Sequence, residues 1–299
     1  MQKRVDISRI IYGTAKLGDS SYGLSKDNKL TTDERVNLLN DILELGITRF
    51  DTSPKYKEAE KYLGEIISKS KINILVDSKI VDLRPNDVKN EKFIIQQVEK
   101  SIKKLRIRNL NVLYLHQNEL EILSDKYVQR GLKKVLDLGL SKKIGISVYN
   151  HTELDYGINS ELFDVIQAPI NILNDSFFRR FKRKNKFSNK ELVARSIFIQ
   201  GALFSKNSNG IEKLNLELHK KIKLLKSICE ENKTTIENEA KYSVFKLSNL
   251  SVIQSSLSID NIKSNTTYNL NKYNSIVQEQ IEVMKDTEYS YTNPRNWKI

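Results

Sequence analysis

The 299-residue chain is short of the residues that brace, punctuate or span. It has one cysteine, Cys229, so an internal disulfide is excluded and a reducing compartment is expected. Cys229 falls in a helical pattern and reads as buried filler rather than as a nucleophile. The four prolines and 11 glycines form no Pro/Gly/Ser-rich linker, which predicts one domain over 1–299, with about 274–299 as a closing helix and tail. No apolar run reaches the roughly 18 residues that a bilayer span needs. The start, MQKRVDISRI, lacks the apolar stretch of a signal peptide. These absences predict no membrane partner and a cytoplasmic location.

Acidic residues are also under-represented: 37 Asp and Glu stand against 50 Lys and Arg, a net charge of +13. Nucleic-acid binding is one reading of that excess. The lysines, however, are spread over most of the helical stretches, and the densest run, FKRKNKFSNK (181–190), matches no recognised nucleic-acid motif. A solvated basic surface is the preferred reading, with no nucleic-acid partner. Such a field can still draw in an anionic cofactor or a phosphorylated substrate.

What is present is an alternation. Eight short runs rich in β-branched and aromatic residues, RIIYGT, ITRFDT, INILVDSK, NVLYLH, KIGISVY, FDVIQAP, LVARSIFIQ and SVIQSSL, read as strands. Nearly all lack strict polar alternation, as strands buried on both faces do. Between them, stretches such as DERVNLLNDILELG, KFIIQQVEKSIKKL and YVQRGLKKVLDLG repeat apolar residues at three and four spacing. Eight strand–helix units in about this length predict a (β/α)₈ TIM barrel. The rival is a doubly wound open sheet, which usually carries GxGxxG after its first strand. Here that turn is YGTAKLGDSSYG, which lacks the fingerprint.

Three polar residues end consecutive strand runs: Asp51, Lys79 and His116, spaced 28 and 37 residues apart. In a barrel this spacing puts all three at the C-terminal rim, where catalytic groups sit. Tyr56 follows on the loop after Asp51. Each has an ordinary explanation alone. Asp51-Thr52-Ser53-Pro54 looks like a helix cap, and a lone tyrosine, lysine or histidine is unremarkable. As an ordered set they suit proton delivery to a carbonyl during hydride transfer. A phenol of pKa near ~10 is a weak acid at neutral pH. A lysine beside it is expected to lower that value, an aspartate to hold the lysine, and a histidine to orient the substrate oxygen. No metal is expected.

The run DTSPKYKEAEKYLG resembles the aldo-keto reductase pattern DTAxxYGxSExxLG, matching at Asp51, Thr52, Tyr56, Glu60, Leu63 and Gly64. Lys57 replaces its glycine and Ala59 its serine. The likeness continues through Lys79 and His116 to KIGISVY, FDVIQAPIN and VARSIFIQGAL, covering nearly the whole chain to about Asn265. The last segments look most like a bacterial branch associated with surface-polysaccharide gene sets. The resemblance implies a nicotinamide cofactor, NADP by family default or NAD, lying across the barrel mouth. It implies Tyr56 as proton donor, Lys79 as its activator, Asp51 as the lysine's partner and His116 as substrate orienter. Thr14, Lys16 and Asp51 would border the cofactor, and Ser147 and Gln167 would hold its carboxamide. Val148 stands where the family has asparagine. Arg195, in place of an aromatic, would stack on the nicotinamide or bind a substrate carboxylate or phosphate. Ser196 and Gln200 would lie near the phosphates. Ser255, Ser256, Ser258, Asn261 and Asn265 would meet the adenosine end. NADPH-preferring relatives carry basic residues there, at the positions of Ser255 and Asn261, so the exchange leaves NAD open.

The implied activity is reduction of a small carbonyl compound to an alcohol by a monomer or weak homo-oligomer. The short polar loop QNELEILSD suggests an open site for a polar carbonyl, perhaps a sugar derivative. Tyr12 and Lys16 follow the first strand and can line the mouth, though a solvated loop lysine explains Lys16 equally. Trp297 either caps the pocket or anchors the tail. The alternative function is a cofactor-binding or regulatory subunit on the same scaffold, suggested by Lys57, Val148, Ser255 and Asn261.

Overall fold

All eight apolar runs become parallel strands: β1 Ile10–Gly13, β2 Arg49–Asp51, β3 Leu75–Ile80, β4 Leu110–Leu115, β5 Ser141–Ser147, β6 Val165–Pro169, β7 Glu191–Arg195 and β8 Ser251–Gln254. Each pairs with the next, and β8 pairs with β1, so the sheet closes into a barrel with no edge. The computed structural model describes residues 4–24, 29–117, 119–185, 189–205 and 207–298. Residues 186–188 of the basic run and Asn118 of the loop after β4 lie outside these.

The helices form where the periodicity places them, over Thr32–Glu44, Asn90–Leu105 and Lys126–Asp137 among others. The first is defined at its start by a capping box, Thr31 with Glu34, and the chain leaves it through Gly46 at φ +88°. Their apolar faces and the strands' outward faces make the main core, including Leu39, Ile42, Leu63, Ile94, Val98 and Leu132. Inside the barrel, Ile11, Val112, Tyr114, Val165 and Val193 form a separate apolar plug. Cys229 is buried in an outer cluster, and burial raises its thiol pKa to about 12, which suits filler. Among the described residues, no helix is long and apolar enough to cross a membrane.

The barrel's N-terminal end is closed by polar side chains. Arg49 pairs with buried Asp77 at 2.8 Å and with Glu191 at 2.5 Å. Asn111 donates to Asp77 at 2.7 Å, and Ser251 to Glu191 at 2.9 Å. Burial pushes the Asp77 carboxyl up to about 6, against the pull of Arg49. This network braces the strand starts, so the C-terminal end is left to carry the site.

Candidate active site

The register of the barrel sets the site. Gly13 pairs with Asp51, Lys79 with Tyr114, Ser147 with Gln167 and Pro169 with Arg195. The polar residues at the ends of β2, β3, β5, β6 and β7 therefore surround one C-terminal opening. There they line a cleft of about 520 Å³, together with Tyr56 and His116.

At its floor, Lys79 Nζ lies 2.5 Å from Asp51 Oδ1 and donates to the Thr52 carbonyl at 2.9 Å. Both charged side chains are almost fully buried, so the pair is held by mutual attraction in a weakly screening medium. Gln167 Nε2 donates to the other Asp51 oxygen at 3.0 Å. Thr14 Oγ1 donates to the Asp51 backbone carbonyl at 3.1 Å. Asp51 is thus fixed through both oxygens and its main chain. The Asp51–Pro54 stretch is not a helix cap, because the next helix is Ala59–Lys69, whose N-cap position is Glu58.

Lys79 Nζ sits 5.1 Å from the centroid of the Tyr56 ring. The expected acidification of Tyr56 is not found. Its pKa is raised well above the ordinary tyrosine value, first by burial and then by the Asp51 charge, while Arg195 pulls it down. The reason is local: an ammonium 2.5 Å from a carboxylate presents little net charge to a third group. His116 is lowered to about 3, by burial first and then by Lys79, Arg195, Arg295 and Lys55. Its imidazole is neutral at physiological pH, able to donate from one ring nitrogen and accept at the other.

Lys16, Ser147, Gln167, Arg195, Ser196, Gln200, Ser255, Ser256, Asn261 and Asn265 also line the cleft. Four expected residues do not. Thr14 is fully buried behind Asp51. Tyr12 is buried in β1 and donates its hydroxyl to the Ser256 carbonyl at 2.8 Å, supporting the wall from behind. Ser258 caps the helix Ile259–Thr266, accepting from the Asn261 amide. Trp297 packs in the outer cluster with Leu218 and Met284 and donates Nε1 to the Tyr291 carbonyl at 2.9 Å, so it anchors the tail and does not line this cleft. The loop after β4 is less polar than its sequence suggests: it forms the turn Leu120–Leu123, with Ile122 and Leu123 buried.

Tyr22, Tyr149, Gln254 and Glu237 also line the cleft, beyond the residues that the sequence singles out. Tyr149 lies two residues beyond Ser147 at the end of β5, a position that the strand-end rule covers. Its backbone is held by the Asn150–Glu153 capping box of the helix His151–Asn159. Glu237 comes from the helix Ile236–Phe245, and nothing near it in the sequence marks it.

Three buried polar atoms of the wall, Ser147 Oγ, Gln254 Nε2 and Ser255 Oγ, have no partner among the described residues. Buried donors left unmatched are costly, so such atoms mark where a polar ligand completes the structure. An amide, sugar hydroxyls and phosphates would satisfy them, as a nicotinamide dinucleotide provides. Beside them Ser196, Ile199, Gln200 and Gly201 all have φ between +51° and +89°. A β-branched residue there is strained, and strain of this kind gathers at ligand sites.

The Aldo/keto reductase family profile matches residues 9–286. The chain belongs to the aldo/keto reductase family. It is an NAD(P)-dependent oxidoreductase. A comparison with curated protein sequences gave no match. Among solved structures, it is similar to the glycerol dehydrogenase of Gluconobacter oxydans, at TM-score 0.69 and 15% identity over 95% of this chain and 92% of that one. An aldo-keto reductase of Bacillus halodurans in its apo form gives 0.68 and 16% over 87% and 89%. A Bombyx mori aldo-keto reductase in complex with NADP gives 0.66 and 16% over 96% and 94%. At these identities the likeness establishes the barrel fold alone.

Proposed function

We propose that this member of the family reduces an aldehyde or ketone to an alcohol, with Tyr56 as proton donor. The observation that carries the reading is the convergence of Tyr56, His116 and the buried Lys79–Asp51 pair on one cleft. A nicotinamide cofactor supplies hydride to the carbonyl carbon when bound. Ser147 and Gln167 would hold its carboxamide, with Ser147 Oγ the readier partner because Gln167 already donates to Asp51.

The substrate oxygen is placed by His116, whose neutral imidazole donates one hydrogen bond. Tyr56 keeps its phenolic proton throughout the neutral range, so the donor is always loaded. As negative charge grows on the substrate oxygen, Tyr56 releases that proton. The charge of Arg195 supports the phenolate left behind, and Asp51 keeps Lys79 in place beneath the ring.

The diphosphate is common to both dinucleotides, so that region does not choose between them. NADP is the family default, but the adenosine end of this cleft favours NAD. Its wall there is Ser255, Ser256, Asn261 and Asn265 with the carboxylate of Glu237, and no arginine among the described residues lines it. A carboxylate accepts hydrogen bonds from a ribose diol, and by pairing with Lys241 it keeps that cation from a 2′-phosphate.

We take the substrate to be a polar carbonyl, such as a sugar derivative, because Tyr22, Tyr149, Ser147 and Gln167 line the opening. We place the protein in the cytoplasm as one domain, a monomer or weak homo-oligomer. The test is oxidation of NADH and NADPH with a panel of aldehydes and keto-sugars. Tyr56→Phe should lower kcat by about 10²–10⁴-fold while nucleotide affinity holds. Equal turnover by both proteins would remove Tyr56 as the acid. Tight nucleotide binding with no turnover of any carbonyl would favour the regulatory-subunit alternative.

A further inference from the structure

The cleft wall holds a guanidinium, Arg195, that the cleft's own carboxylates do not balance. Arg195 lines the cleft, with its guanidinium carbon 4.0 Å from the centroid of the Tyr149 ring. Its Nη2 donates to the Val148 carbonyl at 2.9 Å. Its Nε is buried with no partner, and no carboxylate of the described residues pairs with it. A second guanidinium, Arg295 of the C-terminal tail, stacks on the same ring at 3.6 Å. Arg295 is exposed, so this pair joins the cleft wall to its outer rim.

The two carboxylates lining the cleft do not offset the Arg195 charge. Asp51 is bound to Lys79 and Gln167. Glu237 lies at the far end and is paired with Lys241. After burial, the largest effects on His116 come from Lys79, Arg195, Arg295 and Lys55, all cations. Lys55 has its own partner, Asp82, at 2.8 Å on the surface. Arginine stays charged in any protein environment, and a largely desolvated guanidinium without an anion is costly. A fork of N–H donors stacked on an aromatic ring is also pre-ordered for a planar or tetrahedral oxyanion.

We propose that the substrate carries an anionic group, carboxylate or phosphate, close to the reacting carbonyl, and that Arg195 and Arg295 over Tyr149 bind it. The inference rests on the carbonyl-reductase reading and names the substrate class of that same site. Arg195 is assigned here to the substrate rather than to the nicotinamide ring. The basis is geometric: one face of its guanidinium is already taken by Tyr149, while its Nε is left without a partner in the cleft wall. The anionic group is unchanged by the reaction and serves only to orient the carbonyl.

Two measurements test this. The first compares matched substrates under saturating nucleotide: glyoxylate against its methyl ester, succinic semialdehyde against its methyl ester, and glyceraldehyde 3-phosphate against glyceraldehyde. The expected result is a kcat/KM preference of about 10–100-fold for at least one anionic member, which is about 1.4–2.8 kcal/mol. Arg295→Ala should collapse that preference mainly through KM. Turnover of the neutral members with no anionic preference overturns the proposal and leaves the reductase reading standing.

The second measurement does not depend on turnover. Malonate and inorganic phosphate are titrated calorimetrically into the protein already saturated with NAD⁺ or NADP⁺. Binding that weakens at least tenfold in Arg295→Ala supports the proposal, and the stronger of the two anions tells carboxylate from phosphate. Absence of binding by both overturns it, as does binding only to nucleotide-free protein, since the anion would then occupy the cofactor's phosphate subsite. Anion binding without reduction of any carbonyl would sink the reductase reading instead. Thermal melting of Arg295→Ala, expected near wild type for an exposed side chain, shows that a loss is not unfolding.

Discussion

At the scale of single residues, the site uses burial more than charge pairing to set protonation. His116 is the clearest case, with its pKa lowered to about 3 from an ordinary 6.5. Above about pH 6.5 the ring is neutral in folded and unfolded chains alike and costs nothing. As pH falls from 6.5 toward 3, the unfolded chain takes up the proton and the folded one does not, so stability is lost across that window. Near pH 5 the loss approaches about 1–2 kcal/mol, the partial exposure of the ring holding it at the lower end. Thermal melts between pH 5 and 8 should show this slope flattened in His116→Gln, and an unchanged slope would mean that His116 is readily charged in the fold. The pH profile of kcat should carry no His116 ionisation above pH 5. Glu237 supplies the second residue-scale expectation. Its carboxylate accepts from Lys241 Nζ and from Ser264 Oγ at 3.3 Å, beside Asn261 and Asn265. Glu237→Gln removes the negative charge and leaves Lys241 without its anion. Fluorescence titration should then show the ratio of NADPH to NADH affinity rising about tenfold, roughly 1.4 kcal/mol. A constant ratio would show that Glu237 does not face the ribose. Neither effect was legible in the sequence: the Tyr56 and His116 shifts depend on depth, and Glu237 reaches the cleft from a helix with no motif.

At the scale of elements, two glycines separate structural packing from positioning. Gly64 ends the motif run and lies on the helix Ala59–Lys69, where a Cβ would fall 2.1 Å from the Lys104 carbonyl of the helix Asn90–Leu105. The pattern thus keeps a glycine there for helix–helix contact, far from any chemistry. Gly64→Ala should destabilise by about 1–3 kcal/mol in chemical denaturation, with the kcat of the folded fraction unchanged. Gly18 closes the turn Ala15–Gly18 after β1, and a Cβ there would lie 1.9 Å from the Tyr56 carbonyl. The loop bearing Tyr56 rests directly on this turn, with the Tyr22 ring 6.1 Å from that of Tyr56. Gly18→Ala must therefore displace Tyr56, and a shift near 1 Å can cost about 10²-fold in rate. Steady-state kinetics beside a melting curve discriminate the two: kcat falls far more in Gly18→Ala than its stability does. A Gly18→Ala protein with wild-type kcat would show that Tyr56 tolerates the shift and is not the positioned acid. The strand ends were readable because β-branched runs stop at a polar residue once per barrel unit. The Gly18 contact was not, because it joins two loops that are neighbours only after β1 and β2 pair.

At the scale of the whole molecule, the barrel was legible from alternation alone, since eight parallel strands with buried faces leave few other closures. The tail was legible only in part. The helix Ser275–Glu282 appears where the periodicity puts it, but Trp297 turned inward because its indole finds a carbonyl partner and an apolar cluster. The charge balance can be read at both levels, and its consequence is kinetic. A protein of net charge +13 with a cleft lined by Lys16, Lys79 and Arg195 attracts a dinucleotide whose own charge is negative. Raising ionic strength from about 0.02 M to about 0.5 M shortens the screening length from roughly 20 Å to roughly 4 Å. Long-range attraction across the mouth is then lost, while contacts made after docking are screened far less. Stopped-flow fluorescence should find the association rate of NADH lowered about tenfold over that range, with the dissociation rate changed much less. If instead the dissociation rate carries the salt dependence, the lysines act as direct phosphate contacts, and the basic surface plays no part in guiding the cofactor to the cleft.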